Sequence, residues 1–408
     1  MEELPVLNHP LKIVMIGPFA FEPKGTVSVR AFFMARALAK RGHDVTILMP
    51  PYDNLADSGR VWEEAGVRLE NMVVRRNDAL HQLVVPARMA RRAVALEPDI
   101  THVFNPIGYS GLAGSYLRWF SRRPLVLDTD DWEGTGGWND VNPYPALWKK
   151  LFDWQERWMA RHADAVTVVS RTLQDQVIGF GTHPERVVYL PNGPDARLRQ
   201  MAEVSDDQIV EVRAQLGVGD APLAIYLGMI PHGTDLDLAL EALDSIRDRM
   251  PGMRLVVAGF GEGLPGLQAQ ARRLGLGDHV IFPGWIEPDQ AHNYVASADA
   301  AVNPYRDSLI NRSKCAGKVI LAMSMGKAVV TSRLGQNLEY IEDGYSGVLT
   351  EPGDAGDLAR GLLSVLSDRE WAAELGGHAR QRIWERFDWD ARVGEVERAY
   401  SIALGREA

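Results

Sequence analysis

One cysteine, Cys315, stands alone among 408 residues. An internal disulfide is therefore excluded, and no Cys and His cluster has the spacing of a zinc site. Long apolar runs are also absent. The start, MEELPVLNHPLKIVMIG, is acidic and then apolar for only about six residues, against roughly 20 for a spanning helix, and lacks the basic opening of a signal peptide. It reads as a first buried strand of a cytoplasmic protein. Basic charge is scarce too. Forty-four Lys and Arg face 54 Asp and Glu, which disfavours nucleic acid as a partner because phosphate neutralisation needs a basic surface. The imbalance is local: residues 1 to 200 hold 24 basic and 23 acidic side chains, so all the excess acid lies in the second half.

The chain does have repeated alternation of short apolar runs with helical periodicity. KIVMIG, VSVRAFFMARALAKRG and HDVTILMP give strand, helix, strand, with Ala31, Met34, Ala35, Leu38 and Ala39 on one face and Gly42 as C-cap. DITHVFN, PLVLD, AVTVVS and VVYLP complete a first doubly wound domain. After a polar stretch from Arg197 to Gly219 the pattern restarts with LAIYLG, MRLVVAGFG, HVIFPGW, AAVNPY and AVVTS. Length suits two domains, predicted as 1–195 and 196–385, with a terminal helix over 386–408.

Several motifs follow one another in the order seen in one enzyme family: Pro23-Lys24-Gly25-Thr26 before the first helix, RGHDVTIL after it, YLPNGPD, VVAGFGEG, IFPGW, and NRSKCAGKVILAMSMGKAVVTSRLGQNLEYIEDGYSG from Asn311 to Gly347. Together they resemble the family-4-type (group 1) glycosyltransferases. That resemblance implies the GT-B fold, in which two Rossmann-like α/β domains face each other across a cleft. It also implies transfer of a sugar from a nucleoside diphosphate sugar with retention, no metal, no cofactor and no enzyme nucleophile. Departures from the pattern matter as much. Ser313 and Leu321 occupy the two positions of the family's Glu-x7-Glu, and Gly228-Met229 and His232-Gly233 stand where the family usually carries Arg and Lys for the diphosphate. Such a Lys-Cys-x-x-Lys arrangement looks like a sub-branch.

On residues alone, Lys314 and Lys318 are four apart and would project from one helix face. They are either a solvated basic face or, with Arg312, replacement cations for the departing diphosphate. The resemblance puts Gly261, Trp285, Gly335, Gln336, Asn337 and Glu339 with Arg312, Lys314 and Lys318 at the donor. Gly25 heads a helix whose N–H groups suit an anion; a plain turn would look the same. Asp130, with Asp131, is expected on the acceptor side, and Lys318, Glu339 and Asp130 are the catalytic candidates. Asp130, Asp131 and Glu133 repel one another unless solvated or liganded, and Asp caps of a turn are the bland alternative. Trp132 and Trp138 either stack on sugar or pin their loop.

Trp148, Leu151, Trp154 and Trp158 share helical spacing. Burial against the first sheet is the favoured reading, although basic neighbours and the arginines at 88, 91, 92, 118, 122 and 123 leave peripheral membrane contact open. The acceptor, lipid-linked or a small molecule, is not named by the sequence. An epimerase or hydrolase of the same fold, or a non-catalytic nucleotide-sugar binder, stays open as well.

Overall fold

The computed structural model describes residues 9–22, 26–75, 81–231 and 234–406. Gly25 and the preceding Pro23-Lys24, like His232-Gly233, lie outside the described residues. The chain divides into two compact units: Met1–Asn192 with Ser313–Cys315 and Trp389–Ala408, and Gly193–Arg312 with Ala316–Asp388.

The first unit is built on eight strands, β1 (Lys12–Ile16), β2 (Asp44–Met49), β3 (Val61–Glu64), β4 (Val67–Asn71), β5 (Ile100–Phe104), β6 (Leu125–Thr129), β7 (Ala165–Val168) and β8 (Val187–Tyr189). Their order is β3-β4-β2-β1-β5-β6-β7-β8, parallel except for the β3–β4 hairpin. Helices cover both faces. One core packs Ile13, Phe32, Leu38 and Ile47 with Trp389, Val396 and Tyr400 of the last helix, Trp389–Ala403; the other packs Val14, Met89, Val103, Leu127 and Met159. The hairpin had no strong pattern in the sequence because its first strand is exposed, and its turn sets Ala65 and Gly66 at φ 51° and 78°.

The second unit carries β9 (Leu223–Leu227), β10 (Arg254–Ala258), β11 (Val280–Gly284), β12 (Ala300–Asn303), β13 (Ala328–Ser332) and β14 (Val348–Thr350), all parallel in the order β11-β10-β9-β12-β13-β14. Local chemistry starts its elements: Ser205 and Gln208 form a reciprocal capping box ahead of helix Asp206–Gln215, and Asp354 and Asp368 cap two later helices. In each sheet the winding reverses once, between β1 and β5 and between β9 and β12. The loops after those strands are where open α/β sheets bind ligands. Among the described residues no helix is long and apolar enough to cross a membrane.

The tryptophan helix departs from expectation. Helix Ala146–His162 buries Phe152, Gln155, Glu156, Met159 and Ala160, whereas Trp154 stays 40% exposed and Trp148 and Trp158 are half-buried. Burial of Glu156 serves the neighbouring loop, Trp158 packs in part against the core, and Trp154 is left outward.

Candidate functional site

In the first unit the site is built on a buried ion pair. Arg30, in the wide-turn helix Thr26–Ala31, donates Nε and Nη2 to the two carboxylate oxygens of Asp128 on β6, both at 2.6 Å. Its Nη1 reaches Leu190 O and Asn192 Oδ1. Both partners are essentially inaccessible, and Thr167 Oγ1 adds a third bond to Asp128. Behind it His102 bridges Thr167 and Tyr400, and burial pulls its imidazole down to about 4, so it is neutral. Arg30 was legible only as an arginine in the apolar stripe Val27, Ala31, Met34.

Past β6 the chain enters the loop DTDDWEGTGGW. Thr26 Oγ1 donates to Asp130 Oδ2 at 2.8 Å, while Asp130 Oδ1 is buried with no protein partner. Burial, with Asp131 and Asp128 nearby, pushes the Asp130 carboxyl up to about 7. Asp131 is also raised by burial, opposed by the Trp138 indole and the charge of Lys314. Glu133 rises well above its ordinary value through burial and its acidic neighbours, and accepts a bond from the Asn105 amide at 2.5 Å. Asn105, at the end of β5, sits at φ 68°, and such left-handed residues concentrate at functional sites.

Asp140 caps the loop at the Gly136 N–H, whereas Asp130 and Asp131 do not cap it. Glu156 accepts the N–H groups of Glu133 and Gly134, and Asp153 accepts Thr135. Trp132 Nε1 donates to Thr135 O, and a Cβ on Gly137 would fall 1.9 Å from Trp132 O, so this tryptophan pins the loop. Beside Glu133 and Asn105 opens a cavity of about 490 Å³ whose walls include Phe19, Tyr52, Tyr109 and Trp148. Tyr52 and Tyr109 stack at 4.9 Å, and burial with Asp53 and Glu133 pushes the Tyr52 hydroxyl up to about 12.

Lys314 and Lys318 do not share a helix face, which corrects the expectation from their spacing. Helix Leu309–Ser313 ends, residues 314–316 are non-helical, and a second helix, Gly317–Ser324, begins after Ala316. Ser313–Cys315 belongs to the first unit, where the Asn192 N–H donates to Cys315 Sγ at 3.1 Å and Lys314 Nζ lies 5.3 Å from the Trp138 ring centre. Tertiary anchoring of three residues breaks the helical register.

In the second unit Lys318 is held at the carboxyl end of β9. Its ammonium donates to the Tyr226 hydroxyl, which donates in turn to Met229 O at 2.7 Å. A Cβ on Gly228 would meet Lys318 Cε and Nζ at 3.1 Å. Leu321 lines a small apolar cavity with Ile225, Val302 and Val329, so the second Glu position is an apolar wall. Gly259 and Gly261 approach the chain's own backbone: a Cβ on them would fall 1.9 Å from Gly228 O and 2.2 Å from Ile230 O. Close approach at Gly261 thus joins two loops.

Trp285 is half exposed, edge-on to Phe260 and bonded to Glu287, on the wall of a polar cavity of about 430 Å³. Arg312 is occupied by a two-point pair with Asp307 at 2.6 Å. Gly335, at φ 50°, admits the Arg312 carbonyl. The Asn337 amide ties Thr331 and Ser332 at the end of β13, and Glu339 offers its carbonyl to Arg382. Gln336 is buried at the start of the same short helix. Asp130, Asp131 and Lys314 therefore gather in the first unit, and Lys318, Gly335, Gln336, Asn337 and Glu339 in the second. Among the described residues no group of three or more His, Cys, Asp or Glu is placed to hold a metal ion.

Residues 25–193 match the model of the glycosyl transferase 4-like domain, and residues 208–382 that of the glycosyl transferases group 1. The chain is a group 1 glycosyltransferase. It is 27% identical over 373 residues to the GDP-mannose-dependent alpha-(1-6)-phosphatidylinositol monomannoside mannosyltransferase of Mycolicibacterium smegmatis, covering 90% of this chain and 92% of that protein. This glycosyltransferase shares its fold with Anabaena HepE, solved with UDP and glucose, at TM-score 0.73 and 20% identity over 95% of this chain and 98% of that one. Sucrose-phosphate synthase of Thermosynechococcus elongatus superimposes equally well, at TM-score 0.73 and 21% identity, with coverage of 95% and 98%. The fold is GT-B, and the donor class of the family is a nucleotide sugar.

Proposed function

We propose that the enzyme binds a nucleoside diphosphate hexose on the second unit, at the loops after β9, β10 and β13, and passes the sugar with retention to a hydroxyl of an acceptor held in the first unit. The observation that carries this reading is Lys318, fixed by Tyr226 beside Gly228 at the point where the second sheet reverses its winding. Negative charge develops on the diphosphate as it leaves, and a positioned cation there stabilises the transition state.

The acceptor takes the aromatic cavity of about 490 Å³. Stacked aromatic walls suit the CH face of a sugar or cyclitol ring. Glu133 and Asn105 on the cavity wall offer hydrogen bonds that orient an acceptor hydroxyl, and Asp130, with one unpartnered carboxylate oxygen, is the candidate behind them. The reaction is written without a metal, a cofactor or a covalent enzyme intermediate. The relatives' own donors, GDP-mannose and a UDP sugar, define the first panel.

Calorimetric titration with UDP, GDP, ADP and dTDP, followed by transfer assays with the sugar of the tightest binder, tests the reading. A nucleotide that binds wild type and binds Lys318→Ala markedly more weakly supports it. Equal binding to both proteins moves the diphosphate away from Lys318 and overturns the assignment.

A further inference from the structure

Helices His81–Ala95 and Gly108–Phe120 serve the acceptor cavity with only one end each. Gln82, Gly108, Tyr109 and Leu112 line that cavity, whereas the last turns enclose a separate groove of about 530 Å³ walled by Ala87, Ala90, Val94, Tyr116, Leu117 and Phe120. Phe120 is 86% exposed and Trp119 50%. Trp119 continues into Trp158 and Trp154, at ring distances of 5.5 and 6.3 Å, on the outward stripe of helix Ala146–His162. Contiguous exposed aromatic surface of this kind marks an interaction site.

Charge around the groove identifies the partner. Arg92 is occupied by Glu70, Arg118 by Asp164, and Arg123 by the Pro98 carbonyl. Arg88, Arg91 and Arg122 are exposed and have no ion-pair partner among the described residues. A second copy of the chain would bring like charges together across a twofold axis. Lipid phosphates would complement them, and tryptophan and phenylalanine beside arginine favour the headgroup region of a bilayer. The acidity of the whole protein does not oppose this, since the first 200 residues are nearly balanced.

We propose that this face docks on an anionic phospholipid bilayer, with Phe120 and Trp119 entering the interface and Arg88, Arg91 and Arg122 meeting lipid phosphates. Helix Gly108–Phe120 has 13 residues. Its length of roughly 20 Å then sets the distance between the bilayer surface and the acceptor cavity.

Co-sedimentation of the full chain with vesicles of phosphatidylcholine, and of an equimolar mixture with phosphatidylglycerol, tests the proposal. Binding is expected to the mixed vesicles only, and to fall with salt. The triple variant Arg88→Ala, Arg91→Ala, Arg122→Ala should lower it about a hundredfold. Phe120→Ser with Trp119→Ser should abolish binding while circular dichroism and donor hydrolysis stay at wild-type values, which separates this proposal from that on Lys318. Absence of binding to the mixed vesicles, or equal binding by all variants, overturns it. A concentration-dependent dimer that Phe120→Ser dissociates also overturns it, by giving the face to a second copy.

Discussion

Asp130→Asn should make this enzyme more stable, and more so as pH rises. The Asp130 carboxyl is pushed from 3.8 up to about 7 by burial and by Asp131 and Asp128. Its folded form therefore holds a proton that the unfolded chain releases, so the group subtracts stability. The loss is absent below the unfolded value, grows through the interval from about 4 to 7 and is complete above it. One pKa unit corresponds to about 1.4 kcal/mol, so the full cost is about 4.4 kcal/mol and the part added between pH 5 and 8 is about 2.5 kcal/mol. Residual solvent contact of this half-buried group reduces the latter to about 1–2 kcal/mol. Asparagine keeps the shape and an acceptor for Thr26 while removing the ionisation. Urea unfolding of wild type and variant at pH 5 and pH 8, following the transition of the first unit, should show a stability gain larger at pH 8. An equal gain at both pH values, or a smaller one at pH 8, would refute the placement of this carboxyl in a buried acidic cluster.

Other expectations rest on separate contacts. Arg30→Leu strands Asp128 in the core without its partner and should cost about 3–5 kcal/mol in unfolding free energy; the double variant with Asp128→Leu should recover part of that in the same assay. Gly259→Ala puts a methyl 1.9 Å from Gly228 O at φ 141°, so its melting temperature should fall by several degrees or expression should fail. Lys318→Ala should reduce kcat/KM for sugar transfer by about 10²–10³, with the melting temperature of the apo protein little changed. Asn105→Ala should lose both the turn preference and the bond to Glu133, raising the acceptor KM more than the donor KM in initial-rate kinetics.

Periodicity carried the fold because it is a local consequence of burial: KIVMIG, HDVTILMP, LAIYLG and AVVTS are apolar without alternation since strands covered on both faces have no wet side. The same logic found helix Phe32–Lys40 and missed β3, β4 and β14, none of which is an uninterrupted buried apolar run. Motif order was sufficient for the family. The glycine at 261, expected at the donor, also lets its loop approach the Ile230 backbone, a contact that motif order does not show.

Residue types and their spacing by themselves determined two doubly wound α/β units, the acidic loop after β6 and a lysine at 318 on a helix leading to β13. Only the tertiary structure decided what those residues face. Lys314 and Lys318 are four apart in sequence, and the non-helical break at residues 314–316 sends them to different units. Asp130, Asp131 and Glu133 become a buried cluster with raised pKa values only in the folded chain, where Thr26 and Asn105 bond two of them and Glu156 holds the loop backbone. Helical spacing specifies which side chains share a face, but the direction of that face depends on packing. That is why Trp154 of helix Ala146–His162 stays exposed while a glutamate and a glutamine go in.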